Sequence, residues 1–72
     1  MTKGERIKAR RRSLRLKQID LATLMGISKQ RLYKYENDIV KNIPTAIIEK
    51  LSHCLKCTPA YLMGWEEYKE LK

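Results

Sequence analysis

Two short segments with helical apolar spacing meet at Gly26-Ile27-Ser28, and this junction restricts the fold more than any other stretch of the chain. The first segment runs from about Gln18 to Met25 and places Leu21, Ala22 and Met25 at core spacing. Gly26 then suits the left-handed conformation that ends a helix, because it has no Cβ to clash there. Ser28 can cap the next helix, Lys29 to about Glu36, by accepting from its unpaired N–H groups. Within that helix Leu32 and Tyr35 are three apart and share the inward face. Two helices joined by a tight Gly-containing turn are the sequence form of a helix-turn-helix.

The rest of the chain reads as helices packed around this pair. At 72 residues there is room for one domain. A domain of that size buries only about 60% of its unfolded surface, which excludes a two-lobed enzyme enclosing a cofactor. A first helix is expected from about Gly4 to Ser13, with Ile7 and Ala9 as its thin apolar side and Leu14 and Leu16 just beyond. So few apolar residues make it stable only when packed on others. A polar loop follows Glu36, holding Asn37, Asp38, Lys41 and Asn42 together with apolar Ile39 and Val40. Pro44 suits the first turn of a fourth helix, roughly 44–55, whose core face is Ile47 or Ile48, Leu51, Cys54 and Leu55. Thr58 and Pro59 read as N-cap and first residue of a fifth helix through Met63, ended by Gly64. No stretch alternates as a strand. The expected class is all-α with five helices, a domain over 1–65 and a tail over 66–72.

Charge is distributed unevenly. Residues 1–41 carry 12 basic and 4 acidic side chains, whereas 42–72 carry 4 of each, so the whole net charge of +8 sits in the front. That asymmetry points to a polyanion partner: nucleic acid first, an anionic membrane surface second. The first helix holds Arg6, Lys8, Arg10, Arg11 and Arg12, with basic residues on all sides and no wide apolar face, which disfavours a membrane-surface role. No apolar run approaches the roughly 18 residues needed to span a bilayer. The first residues have no apolar stretch behind them, so no secretory signal is expected and the expected location is cytoplasmic.

Other motifs carry little chemistry. Cys54-Leu55-Lys56-Cys57 is a CxxC without the strand context of a redox site, and His53 is the only further nearby ligand for a zinc that needs four. Cys54 is expected in the core and Cys57 in a turn. Glu66, Glu67 and Glu70 read as a solvated acidic patch. With no nucleophile, base or phosphate loop in view, the chain is read as no enzyme, without cofactor, metal or small-molecule ligand. Tyr61 and Leu62 are expected to close the core, while Met63, Trp65 and Tyr68 stay partly exposed toward a second subunit or a following domain. Ile19 and Leu24, exposed on the second helix, are weaker candidates for that role.

The succession Gln18-Ile19-Asp20-Leu21-Ala22, Gly26-Ile27-Ser28, Leu32 and Tyr35-Glu36-Asn37 resembles the lambda-repressor-like (Cro and phage-repressor type) helix-turn-helix family. Asn42-Ile43-Pro44 and Thr58-Pro59-Ala60-Tyr61-Leu62-Met63-Gly64-Trp65 look like the fourth and fifth helices of prophage repressors from Gram-positive bacteria. The resemblance covers about residues 4–65. It implies that the third helix enters the DNA major groove while the second crosses the backbone. Carried over by position, Lys29, Gln30, Arg31 and Lys34 face bases, and Gln18 and Asn37 meet phosphate; Arg12, Lys17, Tyr33 and Lys41 are further candidates for backbone contacts by their own chemistry. Gln18 also braces the recognition helix, and Arg11 and Glu36 tie the first helix to the end of the third. Three positions depart from the family pattern. Arg15 stands where Gly is usual, Lys17 where Ser or Thr caps the second helix, and Asp38 where Gly is common. These substitutions predict altered turns at 15 and 38 and a phosphate near Lys17.

The function implied is sequence-specific binding of double-stranded DNA by a transcriptional regulator, a prophage-type or Cro-like repressor dimeric on a near-palindromic operator. Relatives often carry a further oligomerisation or self-cleavage domain, so the chain is expected to be a stand-alone regulator or part of a longer protein. The alternative is an antitoxin or adaptor that uses the same fold to bind protein.

Overall fold

The first helix begins one residue earlier than its sequence pattern implies, because a capping box precedes it. In the computed structural model, which describes residues 1–67, α1 spans Lys3–Ser13. Glu5 N–H donates to Thr2 Oγ1 at 3.1 Å, and Thr2 N–H donates to Glu5 Oε1 at 2.8 Å. The reciprocal pair satisfies two otherwise unpaired donors. It also holds the Glu5 carboxyl below its ordinary range, the backbone bond from Thr2 contributing most.

Four more helices follow: α2 Gln18–Met25, α3 Lys29–Glu36, α4 Thr45–Cys54 and α5 Pro59–Met63. No strand occurs among the described residues. Gly26 is left-handed at φ 70° and ends α2, and Ser28 Oγ accepts from Arg31 N–H at 3.1 Å to start α3. Thr58 Oγ1 accepts from Tyr61 N–H at 3.1 Å to start α5, and Gly64 follows it. The core joins Ile7, Leu21, Met25, Leu32, Tyr35, Leu51, Leu55 and Leu62, so every helix contributes to one apolar centre. α3 packs on α1 and α2, and α5 closes over α1 and α4.

Three expectations change in detail, and one left open is decided. Pro44 is the N-cap of α4 rather than part of its first turn: at φ −54° and ψ 143° it is extended, as the proline ring permits. Of the two isoleucines the sequence left open on α4, Ile48 is buried, and Ile47 packs half-buried against the core. Cys57 is the deeply buried cysteine, and Cys54 is only half-buried beside the core. The turns at Arg15 and Asp38 keep the left-handed conformation of the glycines they replace, at φ 59° and 58°.

Each of these two turns has a compensating bond. Leu16 N–H donates to the Arg11 carbonyl at 3.1 Å across the Arg15 turn. Asp38 is fixed more firmly. Gly4 N–H donates to its Oδ1 at 3.1 Å and the Thr2 hydroxyl to its Oδ2 at 2.6 Å. A carboxylate at the positive end of α1 is favourable. It ties the loop after α3 to the first turn of α1, and glycine cannot do this. Lys3 Nζ adds a bond to the Lys41 carbonyl at 2.9 Å.

Candidate nucleic-acid interface

The geometry of α3 follows from what its buried face holds. Leu32, Tyr35 and Glu36 point inward, leaving Lys29, Gln30, Arg31, Tyr33 and Lys34 exposed. Glu36 is a carboxylate only 2% exposed. Arg11 Nε donates to its Oε2 at 2.7 Å and Arg11 Nη2 to its Oε1 at 3.0 Å. Gln18 Nε2 donates to the same Oε1 at 3.1 Å, and Arg11 Nη1 to the Leu16 carbonyl at 2.8 Å. A buried charge is tolerable only when paired and hydrogen-bonded. These bonds meet that need, and they lock the end of α3 to α1 and to the start of α2.

The exposed groups lie along two connected grooves and one cleft on the other side of α3. Gln18, Lys29, Gln30, Tyr33 and Lys34 line the first groove between α2 and α3. The second is strongly basic and extends it past Lys29, Tyr33 and Asn37 to Lys17, Lys8 and Arg12. Arg31 lies on the other side of α3, in a cleft with Gln30, Lys34, Val40, Asn42 and Pro44. The four residues expected to face bases are thus divided: Gln30 and Lys34 border both sides, Lys29 one and Arg31 the other. Of the residues expected to face the backbone, Arg12, Lys17, Gln18, Tyr33 and Asn37 share the basic groove. Lys41 is exposed but lines none of the three.

The basic residues of α1 are not equivalent. Arg6 stacks over the Tyr61 ring at 5.0 Å. Arg10 donates through Nε and Nη2 to the Leu55 carbonyl at 3.2 and 2.8 Å. Arg11 holds Glu36. These three bind helices together, and Lys8 and Arg12 remain to face the groove.

Lys17 is the N-cap of α2 without any accepting side chain, and Asp20 supplies the missing anion. Its Oδ2 accepts from Lys17 N–H at 2.8 Å. The lysine side chain is therefore not needed for the cap. Sequence reasoning missed Asp20 as a cap, Asp38 as a clamp and the Tyr35 hydroxyl. The first was visible as an acid three residues after the N-cap; the other two depend on contacts made only in the fold.

Of the remaining motifs, only Ile19 borders this surface, at the basic groove. Burial pushes the Cys57 thiol up, with Arg10 opposing part of the effect, so it is a poor thiolate source at neutral pH. Among the described residues no three His, Cys, Asp or Glu side chains converge as a metal site. No helix among them is long and apolar enough to cross a membrane. Tyr61 and Leu62 close the core as expected, while Trp65 is 76% exposed. With Met63, Ile43, Ile48 and Pro59 it borders a small apolar pocket of about 160 Å³ between α4 and α5. Ile19 and Leu24 are exposed on α2, and Tyr68 lies outside the described residues.

Residues 7–62 match the helix-turn-helix family HTH_3. The chain belongs to this family. Among solved structures it is similar to the P22 c2 repressor in complex with the synthetic operator 9T, with a TM-score of 0.83 and 30% identity, covering 92% of this chain and 98% of that one. It is also similar to SinR, a master regulator for biofilm formation, in complex with DNA: TM-score 0.81, 28% identity, 85% and 97% coverage. SinR in its complex with SinI gives 0.79 and 28%, covering 83% of this chain and 58% of that one. A search of curated protein sequences gives no match. These similar structures are those of regulatory proteins rather than enzymes. Within this helix-turn-helix member, the residues at positions 15 and 38 reach the left-handed turns without glycine, so the family fold tolerates the departures seen in the sequence.

Proposed function

We propose that this protein is a transcriptional regulator that binds double-stranded DNA sequence-specifically, with α3 in the major groove. The observation that carries the reading is the locked inner face of α3 beside its exposed Lys29, Gln30, Arg31 and Lys34. A helix held to α1 and α2 by the Glu36 network presents these groups in a fixed frame, and their chemistry suits base edges. Arg and Lys donate to guanine O6 and N7, and Gln pairs both ways with adenine. Arg12, Lys17, Gln18, Tyr33, Asn37 and Lys41 take the phosphates in this reading, which gives affinity without sequence information. The protein acts as a repressor, dimeric on a near-palindromic operator, with Trp65 and Met63 at the subunit contact.

Two substitutions separate the roles. Gln30→Ala is expected to alter preference at one or two base positions, by about 1–3 kcal/mol at the preferred site. Arg12→Ala is expected to weaken all sequences alike and to flatten the dependence of log K on log salt by about one unit or less. Duplex binding measured over a salt series checks both. Equal loss on every sequence for Gln30→Ala, or a sequence-dependent loss for Arg12→Ala, contradicts the docking described.

A second reading has its own support. The similarity extends to SinR in complex with the protein SinI, and Ile19, Leu24 and Trp65 are exposed apolar groups. A protein-binding role in place of DNA predicts a stoichiometric protein complex that survives high salt, with no sequence preference on DNA.

A further inference from the structure

We propose that Tyr35 is a positioning residue for base recognition: its hydroxyl orients Arg31 so that the outer edge of the guanidinium meets a guanine. The inference rests on the DNA-binding reading of α3 and adds a specificity element to it. Tyr35 is 2% exposed, and its ring belongs to the core. Packing alone asks for an apolar ring there, and the hydroxyl has a separate use. Arg31, one helical turn earlier, donates its Nε–H to Tyr35 Oη at 2.8 Å, with the guanidinium carbon 5.7 Å from the ring centre.

This bond engages the guanidinium at its inner nitrogen. Nη1 and Nη2 then stay available, and they are the two donors whose spacing fits guanine O6 and N7. Among the described residues, Tyr35 is the only hydrogen-bond partner of the Arg31 side chain. A long side chain loses rotamer freedom when a ligand fixes it. For Arg31 that ordering occurs during folding, so base recognition finds it already in place. Among the described residues, no hydrogen bond of this kind orders the side chains of Lys29, Gln30 or Lys34, its exposed neighbours on the same helix. A phosphate contact needs charge more than orientation, whereas bidentate pairing with a base needs a fixed plane. The observed bond supplies a fixed plane. Arg31 also shares its cleft with Gln30 and Lys34, so the oriented guanidinium lies beside two of the other three base-facing candidates.

The test is selection of bound duplexes from a random library, run in parallel on the wild type, Tyr35→Phe, Arg31→Lys, Arg31→Ala and the double variant. Tyr35→Phe retains the core ring, and a thermal melt verifies that it folds. The expected result is an unchanged motif except at one G·C pair, where Tyr35→Phe lowers the preference about threefold to tenfold. Arg31→Ala erases the preference at that same pair, and Arg31→Lys lowers it, because an ammonium still donates to guanine but lacks the planar fork that Tyr35 holds. Adding Tyr35→Phe to Arg31→Ala changes nothing further. If the wild type selects a motif and Tyr35→Phe leaves every position of it unchanged, the role of Tyr35 is overturned while the DNA reading stands. That role is equally overturned if Tyr35→Phe acts to the same extent in the Arg31→Ala background, or if Arg31→Lys retains the preference in full. No motif for the wild type overturns both.

Discussion

Glu36→Ala is expected to remove most of the stability of the domain. The carboxylate accepts two buried bonds from Arg11 and one part-buried bond from Gln18. Truncating it leaves the Arg11 guanidinium buried without its counter-charge, and breaking a buried pair this way costs about 3–5 kcal/mol. A single core of this size supplies little more than that in total. The measurement is urea or thermal unfolding followed by circular dichroism. A loss below about 1 kcal/mol contradicts the view that this network locks α3 to α1 and α2. Replacing both partners with apolar residues of similar volume is a milder change, because neither charge is then left alone.

Gly4→Ala is the second large effect, and its sign is informative. At an exposed helical site this change stabilises by about 1 kcal/mol through helix propensity. Here a Cβ meets the carbonyl oxygens of Tyr35 and Glu36, each 2.5 Å away, and Asp38 Oδ1 at 2.8 Å. The two carbonyls are backbone at the end of α3, so they yield only if α1 moves outward. That movement also stretches the bond from Gly4 N–H to Asp38. The expected destabilisation is about 3 kcal/mol, at the upper end for overpacking. An unchanged or raised melting temperature contradicts the close approach of α1 to α3.

Local signals decided how much of the fold and the site was legible in the sequence. Gly26, Ser28, Thr58, Pro59 and Gly64 act through their own backbone and nearest turns, and all five stand where the sequence places them. Apolar spacing identified Leu21, Ala22, Met25, Leu32 and Tyr35, because short helices on one core bury one face each. The pairing of Arg11 with Glu36 came from the family resemblance; nothing in the spacing of two residues 25 apart reveals it. Asp38 was harder to read. Its value lies in a helix end 34 residues away, and sequence distance hides such a clamp. Apart from Arg11, the basic run of α1 looked uniform, yet Arg6 and Arg10 turn toward α5 and the end of α4 while Lys8 and Arg12 face the groove. Charge counts register both kinds of arginine alike, and only packing separates them.

The most direct test of the central claim is selection of bound duplexes by the wild-type protein at about physiological salt, where nonspecific attraction is screened. The expected outcome is an enriched motif with two-fold related halves about one helical turn apart, as a dimer presenting two copies of α3 requires. Uniform recovery of sequences, with binding that falls away as salt rises, contradicts the claim and leaves the basic front of the chain as nonspecific attraction.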